Sequence, residues 1–214
     1  MTITNEDNML LMARYADNHF DLAIVDPPYG IKENGARGNV STKKWKNPAK
    51  SRHTKKNWDN NRPEQIYFNE LFRVSKNQII WGGNYFTKYL EPSMGWIFWD
   101  KKNGNSDFSD GELAYTSFNK GLRKFEWLWN GFQKQRPEER IHLTQKPVDL
   151  YKWLLDKYAK QGDKILDTHL GSGSIAIACQ DYGFDLTACE LDKEYFDLAI
   201  KRITQHQSQT KLFT

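Results

Sequence analysis

The sequence predicts an α/β fold: a mostly parallel sheet with helices on both faces. Three observations lead there. Phe20-Asp21-Leu22-Ala23-Ile24-Val25 is a short apolar and β-branched run between polar neighbours, as in a strand buried on both faces. Residues 164–189 read as strand, glycine-rich turn, helix and strand, which is one parallel βαβ unit. Between these stretches Val148, Tyr151, Leu154, Leu155 and Tyr158 recur at helical spacing and form one apolar face.

In chain order, Thr2-Ile3-Thr4 reads as a minimal strand and Asn5–Asn8 as the cap of a short helix over Met9–Ala13. Asp7 there either caps the helix or stands at the sheet edge beside a ligand. The strand ending at Val25 is stopped by Asp26-Pro27-Pro28-Tyr29-Gly30, since two prolines supply no donors and each fixes φ. Pro63–Val74 has helical spacing, and Asn77–Trp81 and Trp96–Trp99 read as strands. Leu113–Ser117 and Phe125–Trp129 read as two more, expected as an antiparallel pair. The tryptophans of this region are expected in the core. Pro147 suits the first turn of the helix that follows it. Lys164–Asp167 is a strand, Thr168–Gly173 a tight turn, and Ser174 opens a helix ended by Gly183. Asp185–Cys189 is the next strand, with Glu190 at its carboxyl end. A last helix is expected over about 192–203, with a frayed tail after Thr204.

At 214 residues the chain has room for one domain with a proper core. No apolar stretch approaches a membrane span, and Met1–Asp7 lacks the features of a signal peptide, so a soluble cytoplasmic protein is expected. Cys179 and Cys189 lie in apolar surroundings and read as reduced core residues. The net charge of +4 divides unevenly: residues 31–62 carry ten basic and two acidic side chains, and the remainder is net acidic. This arm, with Trp45 and Trp58 interleaved, is too polar to pack a core. It is either a solvated insertion or a loop that orders on a polyanion. Lys43, Lys44, Lys46, Arg52, Lys55 and Lys56 are its candidate phosphate contacts.

Two strand ends carry the chemistry. Ligands of open α/β sheets bind at the carboxyl ends of strands. Asp26, the carbonyl of Pro27 held rigid by Pro28, and the ring of Tyr29 suit a planar guest carrying an exocyclic amine. At the other end Gly171 and Gly173 permit close backbone approach, and Glu190, 19 residues beyond Gly171, can bind two ribose hydroxyls. NAD and S-adenosylmethionine both fit that pattern. Asp167 before the glycines would repel a pyrophosphate but suits a sulfonium. Thr144, Gln145 and Lys146 precede a helix N-terminus, where they either hold a carboxylate or serve as a plain cap.

Asp26-Pro27-Pro28-Tyr29, His142-x-Thr144-Gln145-Lys146-Pro147, Asp167-x-x-x-Gly171-Ser172-Gly173 and the acidic Glu190, in that order, resemble the β group of DNA amino-methyltransferases. The resemblance implies a Rossmann-like seven-stranded sheet spanning 1–214 as a single domain, with the basic insertion at about 31–62 and a variable region at about 100–142. The chain is short for a large separate recognition domain, so target choice is expected to fall to that arm, to the 100–142 region or to a partner subunit. It implies S-adenosylmethionine as methyl donor, no metal, and double-stranded DNA as partner. Asp26, Pro27, Pro28 and Tyr29 would be catalytic. Asp7, Thr144, Gln145, Lys146, Asp167, His169, Gly171, Ser172, Gly173 and Glu190 would line the cofactor site. The expected reaction is methylation of the N6 amine of a flipped adenine, as in restriction-modification enzymes of prokaryotes or their phages. Cytosine N4 and RNA amines are the neighbouring alternatives, and an inactive nucleic-acid-binding module a remote one. A homodimer covering the site is open to so compact an enzyme. Thr168 and His169 depart from the family, which commonly has Pro-Phe there. A cytosine C5 enzyme is rejected, because neither cysteine lies at a ligand-facing strand end.

Overall fold

The computed structural model describes residues 1–31, 59, 61–104, 109–129, 134–136, 138, 140–142 and 144–210. The strands are β1 (Thr2–Thr4), β2 (Leu22–Val25), β3 (Gln78–Trp81), β4 (Trp96–Asp100), β5 (Gly111–Thr116), β6 (Arg123–Glu126), β7 (Lys164–Asp167) and β8 (Asp185–Cys189). The helices are α1 (Asn8–Met12), α2 (Gln65–Val74), α3 (Val148–Tyr158), α4 (Ser174–Tyr182) and α5 (Lys193–Thr210).

One eight-stranded sheet runs in the order β1-β8-β7-β2-β3-β5-β4-β6. The pairs β1–β8, β8–β7, β7–β2 and β2–β3 are parallel. β5 runs antiparallel to both β3 and β4, and β6 lies parallel to β4. The sheet is thus mostly parallel but has one strand more than the expected seven. β5 and β6 are not partners of each other: β4 lies between them. Charged Arg123, Lys124 and Glu126 keep β6 as a solvated edge, with Phe125 alone turned into the core.

Both faces of β2 are buried, as its unbroken apolar run requires. Leu22 and Ile24 share a core with Leu150 and Leu154 of α3, Ile175 and Ala178 of α4, and Ala199 and Ile203 of α5. Ala23 and Val25 face Leu11 and Met12 of α1 and Phe68, Leu71 and Val74 of α2. Alternate residues of a strand point to opposite faces, so one segment seeds both layers. Each large side chain buried this way is worth roughly 1.5–3 kcal/mol. Trp81, Trp99 and Trp129 are buried as expected, and Cys179 and Cys189 are buried free thiols.

From β2 the chain crosses through α2 to β3 on one side. From β7 it crosses through α4 to β8 on the other. β2 and β7 are neighbours, so their carboxyl ends flank the point where the strand order reverses, the usual crevice for a ligand in such sheets. α5 continues to Thr210, well past the expected end near 203. Ala199 and Ile203 pack it on the sheet, and Arg202 is tied to Ser172, Ser174 and Glu138. No helix among the described residues is long and apolar enough to cross a membrane.

Candidate active site

A cavity of about 720 Å³ opens at that reversal point. Asp26 and Pro28 line it, together with His169, Gly171 and Ser172 of the glycine turn and with Glu190, Asp192 and Tyr195. The two strand ends singled out in the sequence therefore face one space.

Asp26 stands one residue beyond β2. Its Oδ1 accepts a hydrogen bond from the Tyr29 hydroxyl at 2.6 Å. Its Oδ2 is paired with Lys146 Nζ at 2.5 Å. Lys146 is only 3% exposed, and its ammonium also lies 3.1 Å from Glu112 Oε2. Glu112 in turn is paired through Oε1 with Lys101 at 2.5 Å. Two cations and two carboxylates thus alternate from the cavity toward the surface. Burial raises the pKa of Asp26, partly opposed by Lys146 and reinforced by Glu112. Burial would also drive Lys146 toward neutrality, but Asp26 and Glu112 outweigh it and hold the ammonium charged. For Glu112 burial likewise acts upward, and Lys146 and Lys101 overcome it to bring the pKa down to about 2. Lys146, expected in the cofactor set, lines the cavity with Thr144 and Gln145, and its ammonium is paired there with the Asp26 carboxylate.

Tyr29 is stacked on Tyr85, with centroids 5.0 Å apart and planes inclined by 15°, and meets Phe86 edge-on. Burial and Asp26 push its pKa well up, so the phenol remains a donor. Neither Tyr29 nor Pro27 lines the cavity, so the ring buttresses Asp26 rather than lying open to a guest. Gly82, at φ +67°, makes this position possible, because a Cβ there would lie 2.2 Å from Tyr29 Cε1. The loop is also held from the end of the basic arm. Asp59 accepts from Gly30 N at 2.8 Å, and Arg62 Nε donates to the Tyr29 carbonyl at 2.7 Å.

At the glycine turn, Glu190 accepts from Gly171 N through Oε2 and from Asp192 N through Oε1, both at 2.9 Å. Gly173, at φ +73°, begins α4; a Cβ there would press on Ile203 of α5 at 3.0 Å. Gly173 therefore serves packing and does not line the cavity, whereas Ser172 does. Asp167 lies beneath the turn, 2% exposed, and accepts from His169 N at 2.9 Å. Burial pushes it up to about 8, which favours the neutral carboxyl, and Asp167 does not itself line the cavity. His169 is brought down to about 3 by burial and is neutral. Its Nε2 meets Asn8 Nδ2 at 3.1 Å, its Nδ1 meets Thr168 Oγ1 at 2.9 Å, and Thr168 meets the Tyr67 hydroxyl at 2.8 Å. Where the family commonly has Pro-Phe, this chain has a closed polar network packed edge-on against Tyr67.

Asp7 is a helix cap: its Oδ1 accepts from Met9 N at 2.8 Å, and it does not line the cavity, although its neighbours Glu6, Asn8 and Met9 do. Thr144 and Gln145 line it, with Thr144 Oγ1 and N both near His142 Nδ1. Lys43, Lys44, Lys46, Arg52, Lys55 and Lys56, with Trp45 and Trp58, lie outside the described residues. Tyr67, Glu112, Asn8 and Tyr195 escaped the sequence reading. Tyr67 was legible only as part of the α2 core face, and His142 only as the opening of its motif. For Glu112 the sequence carries no signal, since nothing local says that β5 lies beside β3.

The family model described as DNA methylase matches residues 72–201, more than half of the chain. The chain belongs to that family. The methylase is 25% identical to the type II methyltransferase M2.DpnII of Streptococcus pneumoniae, over 95% of this chain and 89% of that protein. Among solved structures it resembles the M1.HpyAVI–SAM complex with a TM-score of 0.61 and 19% identity, covering 94% of this chain and 98% of that one. It also resembles the PvuII DNA methyltransferase, described as cytosine-N4-specific, with a TM-score of 0.57 and 10% identity over 97% and 91% of the two chains. At such identities these two likenesses are of fold. Methyl transfer to DNA is thus the reaction of this methylase, as its four ordered motifs implied. The family match begins after Asp26-Pro27-Pro28-Tyr29, and the structure brings Asp26 and Pro28 to the same cavity as the later motifs.

Proposed function

We propose that this methylase moves the methyl group of S-adenosylmethionine to the N6 amine of an adenine flipped out of double-stranded DNA. The observation that supports it most strongly is a hydrogen-bonded carboxylate, Asp26, lining the same cavity as Glu190 and the glycine turn. The residues present fit the donor. Glu190 offers carboxylate oxygens for ribose hydroxyls, Gly171 and Ser172 let the backbone approach, and Thr144 and Gln145 stand near the N-terminus of α3 for the donor's carboxylate. When bound, the donor supplies an electrophilic methyl group on a sulfonium.

The chain does the rest by positioning and electrostatics. Asp26, which lines the cavity beside Pro28, accepts a hydrogen of the amine and aims the nitrogen lone pair. Tyr29 fixes the carboxylate from the side away from the cavity. The raised pKa of Asp26 suits it to take the proton that nitrogen must lose. The arm over 31–62 is proposed to bind the phosphate backbone, tied to the catalytic loop by Asp59 and Arg62. We assign residues 1–214 to one domain on this reading. The relatives named type II methyltransferases support a role beside a restriction nuclease, and a homodimer would extend the DNA contact. Methylation of cytosine N4 is the second reading, since the PvuII enzyme shares the fold. Incubation of unmethylated bacterial DNA with the protein and the donor, then nucleoside mass spectrometry, is expected to show N6-methyladenine. A product only at cytosine N4 would overturn the choice of base, and a product only on RNA the choice of nucleic acid.

A further inference from the structure

Both oxygens of Asp26 are engaged before any substrate arrives. Oδ1 holds the Tyr29 hydroxyl at 2.6 Å and Oδ2 holds the Lys146 ammonium at 2.5 Å. A target amine that bonds to Asp26 must either share an oxygen with one of these donors or take its place, and the short 2.5 Å contact to the ammonium makes Oδ2 the crowded side. The phenol is fixed by its stack on Tyr85 and by Gly82 behind it. The ammonium sits on a flexible side chain, and a second carboxylate, Glu112 Oε2, lies 3.1 Å away. Glu112 shares the core-facing side of β5 with Ala114, where a carboxylate is costly unless it is paired. Its outer oxygen is already committed to Lys101. Its inner oxygen is aimed at Lys146, whose ammonium also lies over the ring of Trp81 at 5.2 Å.

We propose that Glu112 is a positioning residue for methyl transfer, acting through Lys146. It is the seat to which the ammonium moves when the target amine takes Oδ2 of Asp26. One donor replaces another on the catalytic carboxylate, and no buried charge is left unpaired at any stage. Turning the last bonds of the lysine side chain is enough. When the methylated base leaves, the ammonium returns and the carboxylate is again satisfied. Lys146 thus holds the place that the amine takes on Asp26. This inference rests on the amino-methyltransfer reading.

The test uses the full chain with the isosteric Glu112→Gln and the conservative Glu112→Asp, assayed on unmethylated bacterial DNA. With a neutral seat, the ammonium stays on Asp26 and competes with the amine. Glu112→Gln is expected to lower kcat by about tenfold or more per folded molecule. Donor affinity by calorimetry and KM for DNA are expected to stay within about twofold of wild type. Glu112→Asp, which keeps the charge, is expected to recover a large part of kcat. The proposal is overturned if Glu112→Gln keeps wild-type kcat, or if it loses donor affinity in proportion to kcat. It is also overturned if Glu112→Asp is no better than Glu112→Gln, because Glu112 would then act only through packing. A wild-type chain that methylates no nucleic acid would overturn the proposed function, and this inference with it; a wild-type chain that methylates while Glu112→Gln matches it overturns this inference alone.

Discussion

Asp167 and His169 lie two residues apart in the same turn, yet burial moves them in opposite directions, to about 8 and to about 3. In both cases burial favours the neutral form, which is why an acid and a base can be stored together under a cofactor site. For Asp167 the folded value lies above the ordinary 3.8, so between those two values the folded chain holds a proton that the unfolded chain has lost. The stability this contributes is complete below pH 3.8 and disappears as the pH rises through 8. Wild type is therefore expected to lose stability relative to Asp167→Asn as urea midpoints are followed from acid to mildly alkaline pH. A pH-independent difference between the two would show that Asp167 is already ionised in the folded chain. At this scale the sequence was a good guide to residue types and a poorer one to partners. Asp26, Gly171 and Glu190 meet at one cavity, whereas Gly173 serves packing. Lys146 lines that cavity too, and its ammonium is spent on Asp26 and Glu112, partners that no local pattern in the sequence announces. Asp7 likewise satisfies its own helix first.

The β2 loop shows how elements make a site from these residues. Two prolines stop the strand, Tyr29 braces Asp26, and the brace needs the turn after β3, where Gly82 leaves room for the ring. Gly82→Ala would place a methyl inside that ring and require a φ of +67° from an alanine. A stability loss of about 1 kcal/mol or more is expected from the backbone conformation alone. Turnover should fall by about tenfold or more per folded molecule, because Tyr29 must leave Asp26. Normal turnover with the expected stability loss would separate Tyr29 from the chemistry. The strands and helices themselves were largely legible, since apolar runs and 3.6-residue spacing follow from burial on one or two faces. Pairing was not: β5 and β6 looked like a hairpin, and only the long-range choice of β4 as their common neighbour decides otherwise. The end of α5 was missed for a similar reason. Its last turns have a polar sequence and rest on contacts such as His206 with Asp181, which residue spacing cannot reveal.

At the scale of the whole molecule, the order of the strands does the decisive work. β2 and β7 are separated by more than a hundred residues, and the reversal between them brings Asp26 and the glycine turn to one cavity. The motifs announced the two halves, but their meeting is a property of topology. The charge chain from Asp26 to Lys101 then ties the catalytic loop to β4 and β5, in the region expected from sequence to vary with the target. The central claim is that Asp26 handles the amine while the glycine turn and Glu190 handle the donor. The most direct test measures two quantities on Asp26→Ala: methyl transfer to unmethylated DNA and calorimetric affinity for S-adenosylmethionine. The account predicts that transfer falls by about a hundredfold or more while donor affinity stays within about threefold of wild type. Equal loss of both, or retained transfer, would contradict it.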